Sequence, residues 1–179
     1  KTDGVYDIQQ AIRLVRANAA QWRIDPRKIG VLGFSAGAEL TMASAIQYPE
    51  FNAKNAAPTD PLAAVSARPD FVGSIYPGPS LFTPAWTSKN GVPPIPKDTP
   101  PSFIAGAGWQ DKVHAVWADE YFSAMLNAGI PNVEMHIYAR GAHGNGLAYR
   151  DFTAEGTWQD RFIHWMRDLG FFGKPGVET

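Results

Sequence analysis

Residues 28–40 read KIGVLGFSAGAEL, and no other stretch of the chain limits the fold as tightly. Ile29, Val31, Leu32 and Phe34 suit a strand buried on both faces, whereas Ala36, Ala38, Glu39, Leu40, Met42 and Ala43 suit a helix. The change of period falls inside a Gly-x-Ser-x-Gly. Gly33 and Gly37 remove the side chains that would collide if the backbone turned sharply there. Ser35 is thereby placed at the apex of a strand-to-helix turn, facing a helix N-terminus. A buried strand that feeds directly into a helix belongs to a parallel sheet covered on both sides.

The rest of the chain has the same grammar. Val5, Ile8, Ile12, Val15, Ala19 and Trp22 step by threes and fours, which predicts one amphipathic helix over about 4–21 with a single buried stripe. Asp25 and Pro26 end it, and the helix after Ser35 is expected to stop near Tyr48, at Pro49. Three further apolar runs, FVGSIYP, SFIAGAG and VEMHIYA, read as strands. Helices are expected over about 115–128, closed by Asn127, Gly129 and Pro131, and around Trp158, Phe162, Trp165 and Leu169. The segment GPSLFTPAWTSKNGVPPIPKDTPP is too rich in proline for regular structure and reads as a functional loop carrying Phe82 and Trp86. The expectation is a single α/β domain over 1–179, a mostly parallel sheet of about four strands with helices on both faces, and ligands at the carboxyl ends of the strands.

Composition excludes more than it proves. A chain of 179 residues with net charge −1 has no electrostatic pull toward nucleic acid or an anionic membrane surface. Without cysteine there are no disulfides, thiolate chemistry or cysteine-ligated metals, and no metal or cofactor is expected. No apolar run reaches transmembrane length and no signal peptide is visible. The chain begins with Lys1, so the compartment stays open.

A serine hydroxyl is a poor nucleophile near neutral pH and needs a base within hydrogen-bond reach, plus a group that orients the base. His136 lies within a strand, His164 falls off the apolar stripe of the last helix, and His114 opens a helix where exposure is the simpler reading. His143, in RGAHGNGL, follows the fourth strand on a glycine-studded loop at the sheet end where Ser35 emerges. Asp111, in GAGWQDKV, lies just past the third strand at the same end, whereas Asp98, Asp119 and Glu120 read as solvated. The order Ser35, Asp111, His143 is one of the known chain orders for a nucleophile–acid–base set.

DIQQAIRLVRANAAQWRIDPRKIGVLGFSAGAEL, PPSFIAGAGWQDKV and NVEMHIYARGAHGNGL together resemble the C-terminal two-thirds of an α/β-hydrolase of the bacterial esterase/lipase group that includes acetylxylan and feruloyl esterases. The resemblance implies Ser35 as nucleophile, His143 as base, Asp111 as its orienting acid, and the Ala36 N–H as one oxyanion donor. It further implies a small acyl ester on carbohydrate as substrate, acetylated xylan first and a feruloyl ester next. Phe82, Trp86 and Trp109 are candidate stacking surfaces for sugar, or else core and loop packing. The chain departs from the group at 112–114, where Val-Pro is frequent and Lys112, Val113 and His114 stand, and at Glu39, where a small residue or histidine is usual. A prolyl-oligopeptidase-type peptidase and a non-catalytic binding domain are the alternatives. The family's sheet extends beyond the strand that precedes Ser35, whose outer edge would here be bare. The expectation is therefore a homo-oligomer, or completion by an N-terminal segment.

Overall fold

Each of the four apolar runs forms a strand in the computed structural model, which describes residues 2–54, 59–145 and 154–172. β1 (Gly30–Phe34), β2 (Phe71–Ile75), β3 (Ser102–Ala107) and β4 (Glu134–Tyr138) pair in parallel in the order β1-β2-β3-β4. Register sets Leu32 beside Gly73, Ile75 beside Ala105, and Ala105 beside His136. β3 is buried at all six of its residues, as an inner strand covered on both faces must be.

The helices are α1 (Thr2–Ala17), α2 (Ala19–Trp22), α3 (Ala36–Lys54), α4 (Pro84–Asn90), α5 (Lys112–Asn127) and α6 (Trp158–Asp168), the last preceded by a 3₁₀ turn over Ala154–Thr157. Side chains alternate across β3 and divide the core. Ile104 joins Val5 of α1, Met42 and Ile46 of α3, and Tyr121 and Met125 of α5 on one face. Phe103 and Ala105 join Trp158, Trp165 and Met166 of α6 on the other. Burying a side chain such as Phe103, fully enclosed here, contributes roughly 1.5–3 kcal/mol. No helix among the described residues is long and apolar enough to cross a membrane.

Four local expectations are corrected. The first helix breaks at Asn18, whose side-chain amide donates back to the Leu14 carbonyl at 2.8 Å and competes with the helical ladder. Its buried stripe is Val5, Gln9, Ile12, Arg13 and Ala19, while Trp22 is exposed. Arg13 tolerates burial because α3 and the following segment answer it: Asn52 Oδ1 accepts at 3.1 Å, the guanidinium lies 4.8 Å from the Phe51 ring centroid, and Asp60 is 3.9 Å away. α3 does not stop at Pro49 but runs to Lys54. Tyr48, whose hydroxyl donates to Asp98, and Phe51, packed on Tyr6, are both buried and hold the helix through the lost backbone bond. The proline-rich segment contains a helix after all, α4, with Pro84 at its first position, where its fixed φ and missing N–H cost nothing.

The amino ends of the strands are tied by one carboxylate. Asp70, directly before β2, accepts from the Ile29 N–H at 2.9 Å and from Arg16 at 2.8 Å, with Arg68 at 3.7 Å.

Candidate active site

The carboxyl ends of β1, β3 and β4 gather the polar chemistry. Ser35 follows β1 with φ +52°, a left-handed conformation that costs a non-glycine residue energy and persists only when its surroundings impose it. They do so from both sides. The Ser35 N–H donates to Ile75 of β2 at 3.0 Å, and its carbonyl accepts from Ala38 and Glu39 at 3.0 and 3.3 Å, opening α3. Gly33 makes the turn possible: a Cβ there would lie 2.3 Å from the Gly37 carbonyl oxygen and the Thr41 Oγ1. Gly37 is different, because a Cβ there would meet nothing within 4 Å, so of the two glycines only Gly33 relieves a collision.

Asp111 ends the β3 loop at the position before α5 and is 5% exposed; its carbonyl accepts from the His114 and Ala115 N–H groups. His143 reaches over from the loop after β4. Its Nδ1 lies 3.0 Å from Asp111 Oδ2 and its Nε2 lies 2.8 Å from Ser35 Oγ. Because an ionised carboxylate only accepts, Nδ1 carries the ring proton and Nε2 is left to receive the serine O–H. The edge of the Tyr76 ring also approaches His143, with centroids 5.0 Å apart. Ala36, the first residue of α3, has one of the N–H groups that find no acceptor within a helix, and it is exposed beside Ser35.

Two side chains that the sequence reading passed over belong here. His114 donates through Nδ1 to the other Asp111 oxygen and stacks on His143, centroids 3.8 Å apart and planes 20° from parallel. Its spacing, three residues past Asp111 on a helix, was the available signal. Glu155 is 2% exposed and accepts from the Asn145 side chain at 2.8 Å, beneath the His143 loop. A Cβ at Gly141 would strike it at 1.8 Å. Burial pushes the Glu155 carboxyl above the usual glutamate range, with the Asp111 charge adding to the shift. Gly146 and Leu147, the end of the histidine-loop motif, lie outside the described residues.

The candidate stacking rings are not brought together. Phe82 and Trp86 pack against the aliphatic core, Phe82 6.2 Å from the Tyr121 ring, whereas Trp109 is 83% exposed two residues before Asp111. Trp86 also lines a small cavity with Glu39, Leu40, Ala43, Ser80 and Leu81, one helical turn from Ser35. Of the group's two departures, Glu39 therefore faces this cavity, its carboxylate against the backbone of Gly78.

Residues 2–75 match the BD-FAE family. The chain also superposes on an acetyl ester-xyloside bifunctional hydrolase from Caldicellulosiruptor lactoaceticus with a TM-score of 0.77 and 33% identity, over 94% of this chain and 66% of that one. The chain has the α/β-hydrolase fold. Among curated relatives, the chain is 30% identical to an acetylxylan esterase of Xylanibacter ruminicola over 95% of its own length. It is 28% identical to endo-1,4-beta-xylanase B of Butyrivibrio fibrisolvens over 82% of its length. It spans only 35% and 25% of those two proteins. An esterase of Thermogutta terrifontis, 22% identical, shares the fold with a TM-score of 0.72.

Proposed function

We propose that this chain carries the catalytic residues of a serine carboxylic-ester hydrolase that removes small acyl groups, acetyl first and feruloyl next, from plant carbohydrate such as xylan. The observation that carries the reading is the unbroken relay from Ser35 Oγ through His143 to Asp111 at the carboxyl ends of the strands. His143 Nε2 takes the serine proton as Oγ attacks the ester carbonyl. Collapse of the tetrahedral intermediate expels the alcohol, which leaves with that proton, and Ser35 keeps the acyl group. Water, deprotonated by His143, then attacks the acyl-enzyme, and the acid departs as the serine O–H is restored. Asp111 holds the ring in the tautomer that accepts at Nε2 and offsets the imidazolium charge. The Ala36 N–H stabilises the oxyanion; one such donor is worth about 3 kcal/mol.

The carbohydrate part of the reading draws on the relatives, an acetylxylan esterase, a xylanase and an acetyl ester-xyloside hydrolase. The sequence has no His-Gly-Gly run of the kind that supplies a second oxyanion donor in this fold. The outer edge of β1, where Leu32 is 40% exposed, pairs with no strand among them. We assign both needs to a further sheet-extending segment, in keeping with a chain that covers 66% of the solved acetyl ester-xyloside hydrolase. A second copy pairing edge to edge is the competing arrangement.

The test is hydrolysis of p-nitrophenyl acetate and release of acetate from acetylated xylan, with a fluorophosphonate labelling Ser35. Cleavage of a proline-containing peptide amide without acetate release would put the peptidase in place of the esterase. No turnover and no labelling would leave a binding domain. Light scattering on the same sample separates a completed monomer from an edge-paired dimer.

A further inference from the structure

A general base on a loop has a positioning problem that its two hydrogen bonds do not solve. His143 is anchored at Nδ1 to Asp111 and meets Ser35 at Nε2, and a ring held along that line is free to rotate about it. The acid has the same problem, since a carboxylate held by one oxygen can twist about its Cβ–Cγ bond. In this chain one further side chain answers both. His114 stands on the first turn of α5, so its backbone is fixed by the helix that Asp111 begins. Its Nδ1–H occupies Asp111 Oδ1, leaving Oδ2 to His143. Its ring lies flat on the His143 ring, centroids 3.8 Å apart, and also makes a T-shaped contact with Trp117, centroids 5.1 Å apart.

We propose that His114 is a positioning residue of the proton relay: one imidazole fixes the plane of the Asp111 carboxylate by a hydrogen bond and the plane of the His143 ring by stacking. It touches neither the serine nor the carbonyl, so its effect passes through the base alone. The proposal rests on the esterase reading above.

Three substitutions take the two contacts apart. His114→Ala removes both, and kcat for p-nitrophenyl acetate is expected to fall about 10- to 100-fold, the range seen when a residue supporting a reacting group is removed, with KM within about twofold. His114→Asn keeps an amide donor near the Nδ1 position and loses the stack. His114→Phe keeps a flat ring and loses the donor. Each is expected to restore part of the loss, and the rate of fluorophosphonate labelling at Ser35 is expected to follow the same ranking without substrate turnover. Should the alanine variant fail to fold, the asparagine and phenylalanine variants still carry the comparison.

Ser35→Ala is the control that separates the two readings. If it keeps the parent's activity, Ser35 is not the nucleophile and the serine mechanism on which the proposal rests fails. If it is inactive while His114→Ala retains full kcat and labelling rate, the positioning role fails. Asp111, His114 and His143 also bring their ligand atoms within 4.8 Å of one another. Activity lost to a chelator and regained with zinc would make them a metal site and overturn the proposal.

Discussion

Two aspartates at opposite ends of the sheet do different work with the same carboxylate. Asp70, at the amino ends, is held by a backbone N–H and by Arg16, with Arg68 nearby. Asp111, at the carboxyl ends, is held by two imidazoles. A guanidinium never releases its proton in a protein, so the cluster around Asp70 can only hold the start of β1 to the start of β2. An imidazole gives and takes protons near neutral pH, so the cluster around Asp111 can take up the proton of a hydroxyl at its far end. What separates a brace from a relay here is the donor, and the donor is set by which strand end the aspartate occupies.

The comparison breaks most visibly at Asp111. An asparagine there can present its amide to His143 and favour the tautomer with the proton on Nε2, which cannot accept from Ser35; esterase kcat is expected to fall roughly 10³- to 10⁴-fold. The melting temperature should change little. A variant that lost its thermal stability while keeping its turnover would erase the contrast.

Asp70→Ala is the mirror experiment. It leaves the Ile29 N–H and Arg16 without their acceptor at a mostly buried site, a loss of about 2–3 kcal/mol and a fall in melting temperature of roughly 5–10 °C for a chain of this size. Ester turnover at room temperature should be unchanged. Thermal melts paired with initial rates check both halves of the statement.

Glu155 sharpens the rule as a third carboxylate, with a neutral amide where the others have a cation or an imidazole. Its pKa is raised in the fold, chiefly by burial, so the folded state keeps the proton at a pH where the unfolded chain has lost it. Its contribution is full below the ordinary glutamate value and fades as pH rises through the raised one. Glu155→Gln should therefore melt like the parent below about pH 4 and a few degrees above it at neutral pH. Melting curves across that range give the answer, and a gap that closed as pH rose would reverse the sign.

Much of this was legible because the signals were local. Strands buried on both faces are apolar runs, and glycines and prolines mark their ends, so all four strands and the loops carrying Ser35, Asp111 and His143 could be placed from spacing alone. The misses share a physical form. Arg13 sits on a buried stripe because Asn52 and Phe51 meet it there, and α3 passes Pro49 because Asp98 holds Tyr48 from fifty residues away. Each local preference was overruled by a partner that only the folded chain supplies. His114 looked solvated because only one of its partners is local: Asp111 lies three residues before it, but the His143 ring it stacks on arrives from the loop after β4.

The near-contact at Gly33 reaches beyond the turn it permits. With no room for a Cβ between β1 and the Gly37 carbonyl, strand and helix pack as one solid piece, and the Ser35 hydroxyl is a fixed reference point for everything assembled around it. Tyr76, Asp111 and His143, which gather around that point, lie on separate connections, after β2, β3 and β4. For a protein engineer this is a socket with exchangeable fittings. On the proposed function, the segment 77–101, which carries α4 and part of the cavity wall, is the fitting to rebuild for another acyl or alcohol group.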